Sequence, residues 1–228
     1  ALGVLFRQFL HPGLTIDVGS STGGVLAGLK EVEPRLNIFG VEPSLEESEY
    51  ANVHGIKTTS AIFEDFVRED KMPPFAANIF CVQSLNHLLA PHEFLDWAHK
   101  KLEKDGHIFL VVKNFLHQVR RAGSIEAGVQ IDHPYMFTPE SLKLLVESRG
   151  FRVVYLDVDE SKSKDEIEKQ RTSGLNKHHI RLVAEKVLSR SLPRSEGFFR
   201  GFSRRMQFSF PLIKLWYFIR YSRFRIFR

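Results

Sequence analysis

Leu14-Thr15-Ile16-Asp17-Val18-Gly19-Ser20-Ser21-Thr22-Gly23-Gly24 is the stretch from which the rest of the chain can be read. A short apolar run is closed by Gly19, and Val25 to Val32 then reads as a helix that Pro34 terminates. This is a strand, glycine turn, helix unit. Small residues after a strand let the backbone approach a ligand closely, and the helix that follows offers its free amide groups. Taken alone, such a loop could cradle phosphate. Asp17 at its mouth argues otherwise, because a carboxylate repels a pyrophosphate and attracts an ammonium or sulfonium centre. The spacing also lacks the G-x-G-x-x-G dinucleotide pattern and any Walker-type Gly-Lys-Ser/Thr. Phosphate cofactors are therefore disfavoured.

Working outward, the chain alternates apolar runs with helical patterns and short polar joints, the rhythm of a parallel sheet covered by helices. Asn37 to Val41 is the second strand, followed by an acidic helix from Ser44 to Asn52 and a Gly55 stop. Ile56 to Ser60 is the third. After Pro73-Pro74, Asn78-Ile79-Phe80-Cys81-Val82 is nearly continuous in apolar character, as expected of a strand buried on both faces. A helix from Pro91 to Leu102 leads to a Lys104-Asp105-Gly106 turn and a strand at Ile108 to Val112. The polar stretch from Asn114 to Tyr135 reads as a long connection on the substrate side. Thr138 then caps a helix that has Pro139 in its first position and ends at Arg149-Gly150. Phe151 to Val158 and Ile180 to Val187, joined by a polar insertion, predict an antiparallel hairpin at the sheet edge. The expected count is seven strands with the last one reversed.

Glu42 stands at the end of the second strand, where an acid can accept both hydroxyls of a ribose. A cationic amino-acid portion at Asp17 and a ribose at Glu42 together describe S-adenosyl-L-methionine. Here the sequence resembles the class I, Rossmann-like methyltransferases, from about Leu14 to Val187. Their first motif, Asp/Glu-x-Gly-x-Gly-x-Gly, is matched by Asp17, Gly19 and Gly23, with Ser21 in place of the middle glycine. Val41-Glu42-Pro43-Ser44 looks like the second motif. Ser84-Leu85-Asn86-His87-Leu88 resembles the segment after the fourth strand in the small-molecule and cell-envelope members. Leu102 to Ile108 resembles their Leu-x-Pro-Gly-Gly turn with Lys104-Asp105 replacing Pro-Gly, and Ala77-Asn78 stands where a Phe-Asp pair is usual.

The resemblance implies a seven-stranded α/β sheet with helices on both faces, and S-adenosyl-L-methionine as cofactor. By the same register Asp17, Gly19, Ser20, Ser21, Gly23, Glu42, Pro43, Gln83 and Ser84 would hold the cofactor, with Ala61, Ile62 and Phe63 along its adenine. Gln83 and Ser84 could equally satisfy a helix end. His87, His117 and His133 are candidates for the proton acceptor, since an imidazole titrates near neutrality and can take a proton as the methyl arrives. His133, within Asp132-His133-Pro134-Tyr135-Met136-Phe137-Thr138, is favoured because that segment resembles the one preceding the family's last helix, where a histidine faces the substrate cavity. His87 is the second choice. His178-His179 lacks companion ligands at metal spacing and is read as structural. No Asn/Asp-Pro-Pro-Tyr motif is present, and Cys81 lies inside a buried strand. The preferred acceptor is therefore an oxygen of a small molecule, glycan or lipid-linked intermediate.

The 228 residues are 43% apolar, enough for a sizeable core. One cysteine excludes an intramolecular disulfide framework and points to the reducing cytoplasm. No run approaches the length of a membrane-spanning helix. A start at Ala1 instead of Met reads as a fragment or processed form. The net charge of +5 conceals an asymmetry, because ten Lys or Arg and a single acid follow Leu188, while the body before it is mildly acidic. Eleven of the 27 aromatic residues lie in that same tail. Two units are expected, a methyltransferase domain at 1–187 and a basic aromatic extension at 188–228. Rings among cations suit a peripheral site on an anionic inner membrane face. Packing on a partner protein ranks next and nucleic acid last. The rival readings are a nonenzymatic cofactor-binding or scaffold protein, and an RNA methyltransferase gripping its substrate with the tail. The oligomeric state is left open.

Overall fold

A computed structural model describes residues 2–69, 75–129, 133–158 and 179–187. The extension at 188–228, with its predicted membrane contact, lies outside the described residues, as does the polar insertion before the last strand. The elements run α1 (Leu2–Phe6), β1 (Gly13–Val18), α2 (Gly24–Val32), β2 (Leu36–Glu42), α3 (Leu45–Val53), β3 (Thr58–Ser60), α4 (Phe63–Glu69), β4 (Ala76–Val82), α5 (Pro91–Lys101) and β5 (Leu102–Lys113). There follow α6 (Phe115–Ala122), α7 (Ile125–Gly128), α8 (Pro139–Ser148), β6 (Phe151–Val158) and β7 (His179–Lys186). The sheet has seven strands in the order β3-β2-β1-β4-β5-β7-β6. The first five are mutually parallel, and β7 runs antiparallel between β5 and β6. The expected hairpin is present with β6, the earlier strand, at the edge.

Alternation along the central strands splits the core into two layers. Ile79 and Cys81 of β4 and Ile108, Leu110 and Val112 of β5 face the layer shared with Phe63, Phe94, Leu95, Leu142 and Val146 from α4, α5 and α8. Phe80 and Phe109 point to the other face, where they stack at 4.2 Å beneath Phe6 of α1 and beside Leu26 and Leu29 of α2. A strand apolar at every position is thus one buried on both sides.

Three sequence expectations change. Lys104-Asp105-Gly106 is not a turn between elements. Leu102 pairs with Ala76 and His107 with Asn78, so the intervening residues of β5 bulge outward from a strand that began earlier. The supposed long connection after Asn114 contains two helices, α6 capped by the Asn114 side chain and α7 by Ser124. The third strand is shorter than expected, because Thr58 is where pairing with Gly40 begins. The capping of α8 by Thr138 is as read, with Ser141 returning a hydrogen bond to complete the box.

Asn78, the departure from the family's Phe-Asp pair, is fully buried in β4. Its amide donates to the carbonyl of His11 at 2.7 Å and to Thr15 Oγ1 at 2.9 Å, and its Oδ1 accepts from the His11 N–H at 3.1 Å. The residue therefore fastens the segment entering β1 to the middle of the sheet.

Candidate functional site

Strand order reverses between β1 and β4, and connections leave to opposite sides there, which opens a crevice above the carboxyl ends of the strands. A cavity of about 540 Å³ occupies it. Its walls come from the loop after β1 (Gly19, Ser20, Ser21), the end of β2 (Val41, Glu42, Pro43), the approach to α4 (Ala61 to Glu64) and the loop after β4 (Val82 to Ser84, His87, Leu88), with Val25 of α2 at one side.

The loop after β1 is tied down on two sides. The N–H groups of Gly19 and Ser20 donate to the Val41 carbonyl at 2.8 and 3.1 Å, and Ser84 Oγ donates to the Gly19 carbonyl at 3.2 Å. A side chain at Gly19 would strike the Ser84 side chain, and its φ of +77° is itself a glycine conformation. Gly40 of β2 is needed for a similar reason, since a Cβ there would run into Ser20 Oγ and come within 2.6 Å of Thr58 Oγ1. Ser21, the residue replacing the family's middle glycine, has φ +49°. Gln83, with φ +58°, is the other non-glycine residue in the left-handed region among the described residues. Both sit on the cavity wall, where sterically unfavoured backbone is held by its surroundings.

Two carboxylates lie under this loop with different surroundings. Glu42 Oε2 accepts from the Ser21 N–H at 2.7 Å and Oε1 from the Ser44 N–H at 2.9 Å, so it shapes the loop while facing the cavity. Each oxygen keeps acceptor capacity for a further donor. Asp17 is fully buried at the end of β1, and neither of its oxygens has a hydrogen-bond partner among the described residues. Burial, with a smaller contribution from the Glu42 charge, pushes its carboxyl up to about 7. Ser20 Oγ, in the loop after β1, is likewise buried without a partner among the described residues. Under the crevice there is therefore a buried carboxyl group with no counter-charge among the described residues.

Of the cofactor residues expected from the sequence, Gly19, Ser20, Ser21, Glu42, Pro43, Ile62, Phe63, Gln83 and Ser84 line the cavity. Asp17 lies beneath it rather than on its wall, and Gly23 acts as the left-handed residue (φ +82°) that starts α2. His87 is on the wall and His133 is buried behind it, their ring centroids 4.5 Å apart. His117 is placed on α6 and His179 inside β7, neither of them on the wall. His178 is outside the described residues. Glu64, Val25 and Leu88 had not been singled out for the site, and nothing local distinguishes Glu64 and Val25 from ordinary helix-face residues or Leu88 from an ordinary loop residue. Gly40 had a signal, a glycine within an otherwise apolar strand.

The sequence profile of the methyltransferase domain family matches residues 5–156. Among curated proteins, none matches the chain in sequence. Among solved structures, the chain is similar to a SAM-dependent methyltransferase from Archaeoglobus fulgidus (TM-score 0.59, 15% identity, 81% of this chain and 93% of the other). It is similar also to one from Clostridium acetobutylicum (0.59, 10%, 82% and 89%) and to the plantazolicin methyltransferase BpumL in complex with a monoazolic desmethylPZN analog and SAH (0.60, 14%, 81% and 80%). At these identities the structural likeness concerns the fold.

Proposed function

The chain belongs to the methyltransferase domain family, and on that premise we propose that it transfers a methyl group from S-adenosyl-L-methionine to an oxygen of a small-molecule, glycan or lipid-linked acceptor at an anionic membrane surface. The observation that carries the cofactor assignment is Asp17, a buried carboxylate without a counter-charge among the described residues, under a glycine loop that lacks any phosphate-binding signature. A group bearing ammonium and sulfonium charge suits that floor, and a nucleotide phosphate does not.

The residues present fit the cofactor. Asp17 supplies the negative field for its cationic end, Glu42 has acceptor capacity for ribose hydroxyls, and Ile62 and Phe63 offer apolar surface for a purine. When bound, the cofactor supplies a methyl group on a charged sulfur, already activated for in-line displacement. The protein then has to hold the acceptor in line and keep water out, which requires positioning and no covalent intermediate. The SAH in the BpumL complex supports the same cofactor here.

For the acceptor, Cys81 is fully buried and its thiol is pushed up by burial and by the Asp17 charge, which disfavours the covalent thiolate route to pyrimidine carbon. The cavity wall includes Ile62, 46% exposed, and the nearby Leu89 carbonyl accepts from the Tyr135 hydroxyl at 2.9 Å, with both of those side chains also exposed. An apolar rim of this kind favours an acceptor with apolar parts. The basic aromatic sequence after Leu188 favours a lipid-linked one. Among the described residues no helix is long and apolar enough to cross a membrane.

Calorimetry with S-adenosylmethionine tests the cofactor, and incubation of methyl-labelled cofactor with a membrane lipid extract and a water-soluble extract tests the acceptor. Saturable binding, and label passing into the lipid fraction, are expected. Absence of binding to the folded protein overturns the proposal, and label passing only into the soluble fraction overturns its lipid-linked part.

A further inference from the structure

His87 and His133 were both read as proton acceptors, with His133 favoured, and the structure gives them different surroundings. His87 follows β4, is exposed, and lines the cavity beside Ser84 and Leu88. Its backbone N–H donates to the Ser84 carbonyl at 2.9 Å, which anchors it to the loop that also binds Gly19. His133 is only 5% exposed and lies with its ring against that of His87, centroids 4.5 Å apart and planes tilted by 50°.

The segment bearing His133 is itself clamped to the His87 loop. Asn86 Nδ2 donates to the Tyr135 carbonyl at 3.2 Å, and the Tyr135 hydroxyl donates to the Leu89 carbonyl at 2.9 Å. Two residues on, the Phe137 carbonyl accepts from the Phe115 N–H at 2.9 Å, so the start of α6 holds the segment from the other side. Among the described residues, the other ionisable groups of the cavity wall and its rim are Glu42 of β2, Glu64 of α4 and the Tyr135 phenol.

We infer that His87 is the catalytic proton acceptor at the acceptor end of the cavity, and that His133 is a positioning residue whose ring holds His87 in place. The inference rests on the methyl-transfer reading above. A proton acceptor must reach the reacting hydroxyl and afterwards release its proton, and an exposed imidazole on the cavity wall can do both. A buried imidazole off the cavity wall is poorly placed for this, because it reaches neither the hydroxyl nor the water that must take the proton. As the acceptor oxygen gains its methyl and the carbon–sulfur bond breaks toward sulfur, the hydroxyl proton passes to a ring nitrogen of His87 and then to solvent. One proton is released per methyl transferred. His133 takes no part in that exchange. Packed against His87 at a 50° tilt, on a segment held by the Asn86 and Tyr135 contacts, it restricts the orientations open to that side chain.

Two measurements on the full chain test this without an identified acceptor. The first is carbethoxylation of the wild-type protein with diethyl pyrocarbonate, read by peptide mass spectrometry. His87 should react at least about tenfold faster than His133, which is reachable only through local opening. Equal rates, or a faster His133, overturn the assignment.

The second is NMR of histidine labelled at the ring carbon between the nitrogens, in saturating S-adenosylhomocysteine. His133→Asn should move the ring-carbon shift of His87, since the aromatic ring packed against it is removed. His133→Phe, which keeps an aromatic ring in place, should return the His87 carbon shift most of the way to wild type. A His87 carbon shift indifferent to His133→Asn, in a folded protein that binds S-adenosylhomocysteine normally, overturns the positioning role. If the wild type itself fails to bind S-adenosylhomocysteine, the methyl-transfer reading fails instead, and calorimetry distinguishes the two. Should His133→Asn not fold, His133→Phe and the wild-type modification rates still decide the question.

Discussion

Replacing Asp17 with Asn should separate stability from ligand binding, and the size of the effect can be worked from the surroundings of the carboxylate. In the folded protein the group is raised from 3.8 to about 7, first by burial and then by the Glu42 charge. A group whose folded value lies above its unfolded one contributes stability that is fully present below the unfolded value. That contribution is lost as pH rises through the folded one. At about 1.4 kcal/mol per unit, a shift of roughly three units amounts to a loss on the order of 4 kcal/mol between about pH 4 and pH 8, steepest at about 1.4 kcal/mol per pH unit in the middle of that range.

Asp17→Asn cannot ionise, so its unfolding free energy should lack this slope. Denaturant unfolding at several pH values from about 5 to 8 should show the variant gaining on the wild type steadily as pH rises. Comparing slopes avoids the separate, pH-independent cost of placing an amide in the site. Calorimetry should meanwhile show S-adenosylmethionine affinity in the wild type falling by up to about tenfold per unit below about pH 7, because binding a cation must first expel the Asp17 proton. The variant should bind weakly and with little pH dependence. Parallel stability curves for the two proteins between about pH 5 and 7 would falsify the account of Asp17 as an uncompensated buried carboxylate.

Other substitutions probe the same machinery. Glu42→Gln removes the charge that helps raise Asp17, so the midpoint of the wild-type stability loss should move to lower pH in the same unfolding series; an unmoved midpoint speaks against coupling of the two acids. Gly19→Ala should reduce cofactor binding and cost about 1–2 kcal/mol for its left-handed backbone alone, and pairing it with Ser84→Gly should recover part of the binding by clearing the collision. Ser21→Gly, at φ +49°, should raise thermal stability by up to about 1 kcal/mol, the relief of a left-handed serine less the added freedom of the unfolded chain. Asn78→Ala should cost about 2–4 kcal/mol in chemical unfolding, through the loss of its hydrogen bonds to His11 and Thr15. A loss below about 1 kcal/mol would show that the clamp on the β1 entry is redundant.

Much of this protein is legible from order and period alone. The apolar runs at Leu14 to Val18, Asn78 to Val82 and Ile108 to Val112 mark the central strands, because a strand covered on both faces has few polar positions. Thr138-Pro139 and the glycine turn mark helix starts by chemistry that lies within a few residues. Glu42 at a strand end and Asp17 at the preceding one follow from counting along parallel strands, and both fall at the crevice. Local pattern fails where a residue's role depends on chain segments that meet only in the fold. Lys104-Asp105-Gly106 has turn composition, yet it is a bulge because β4 pairs with Leu102 before it and His107 after it, while β7 takes up the pairing from His107 onward. The polar stretch after Asn114 reads as a loop because the face of α6 that packs on α7 is brief. Asp17 carries its function in its sequence position, but its burial without a partner results from β2 and β4 closing on either side of β1. Motif resemblance favoured His133 over His87 as the proton acceptor, whereas the structure puts His87 and not His133 on the cavity wall. Exposure is a property of neighbours distant in the chain, and only tertiary packing sets His133 behind His87 rather than before it.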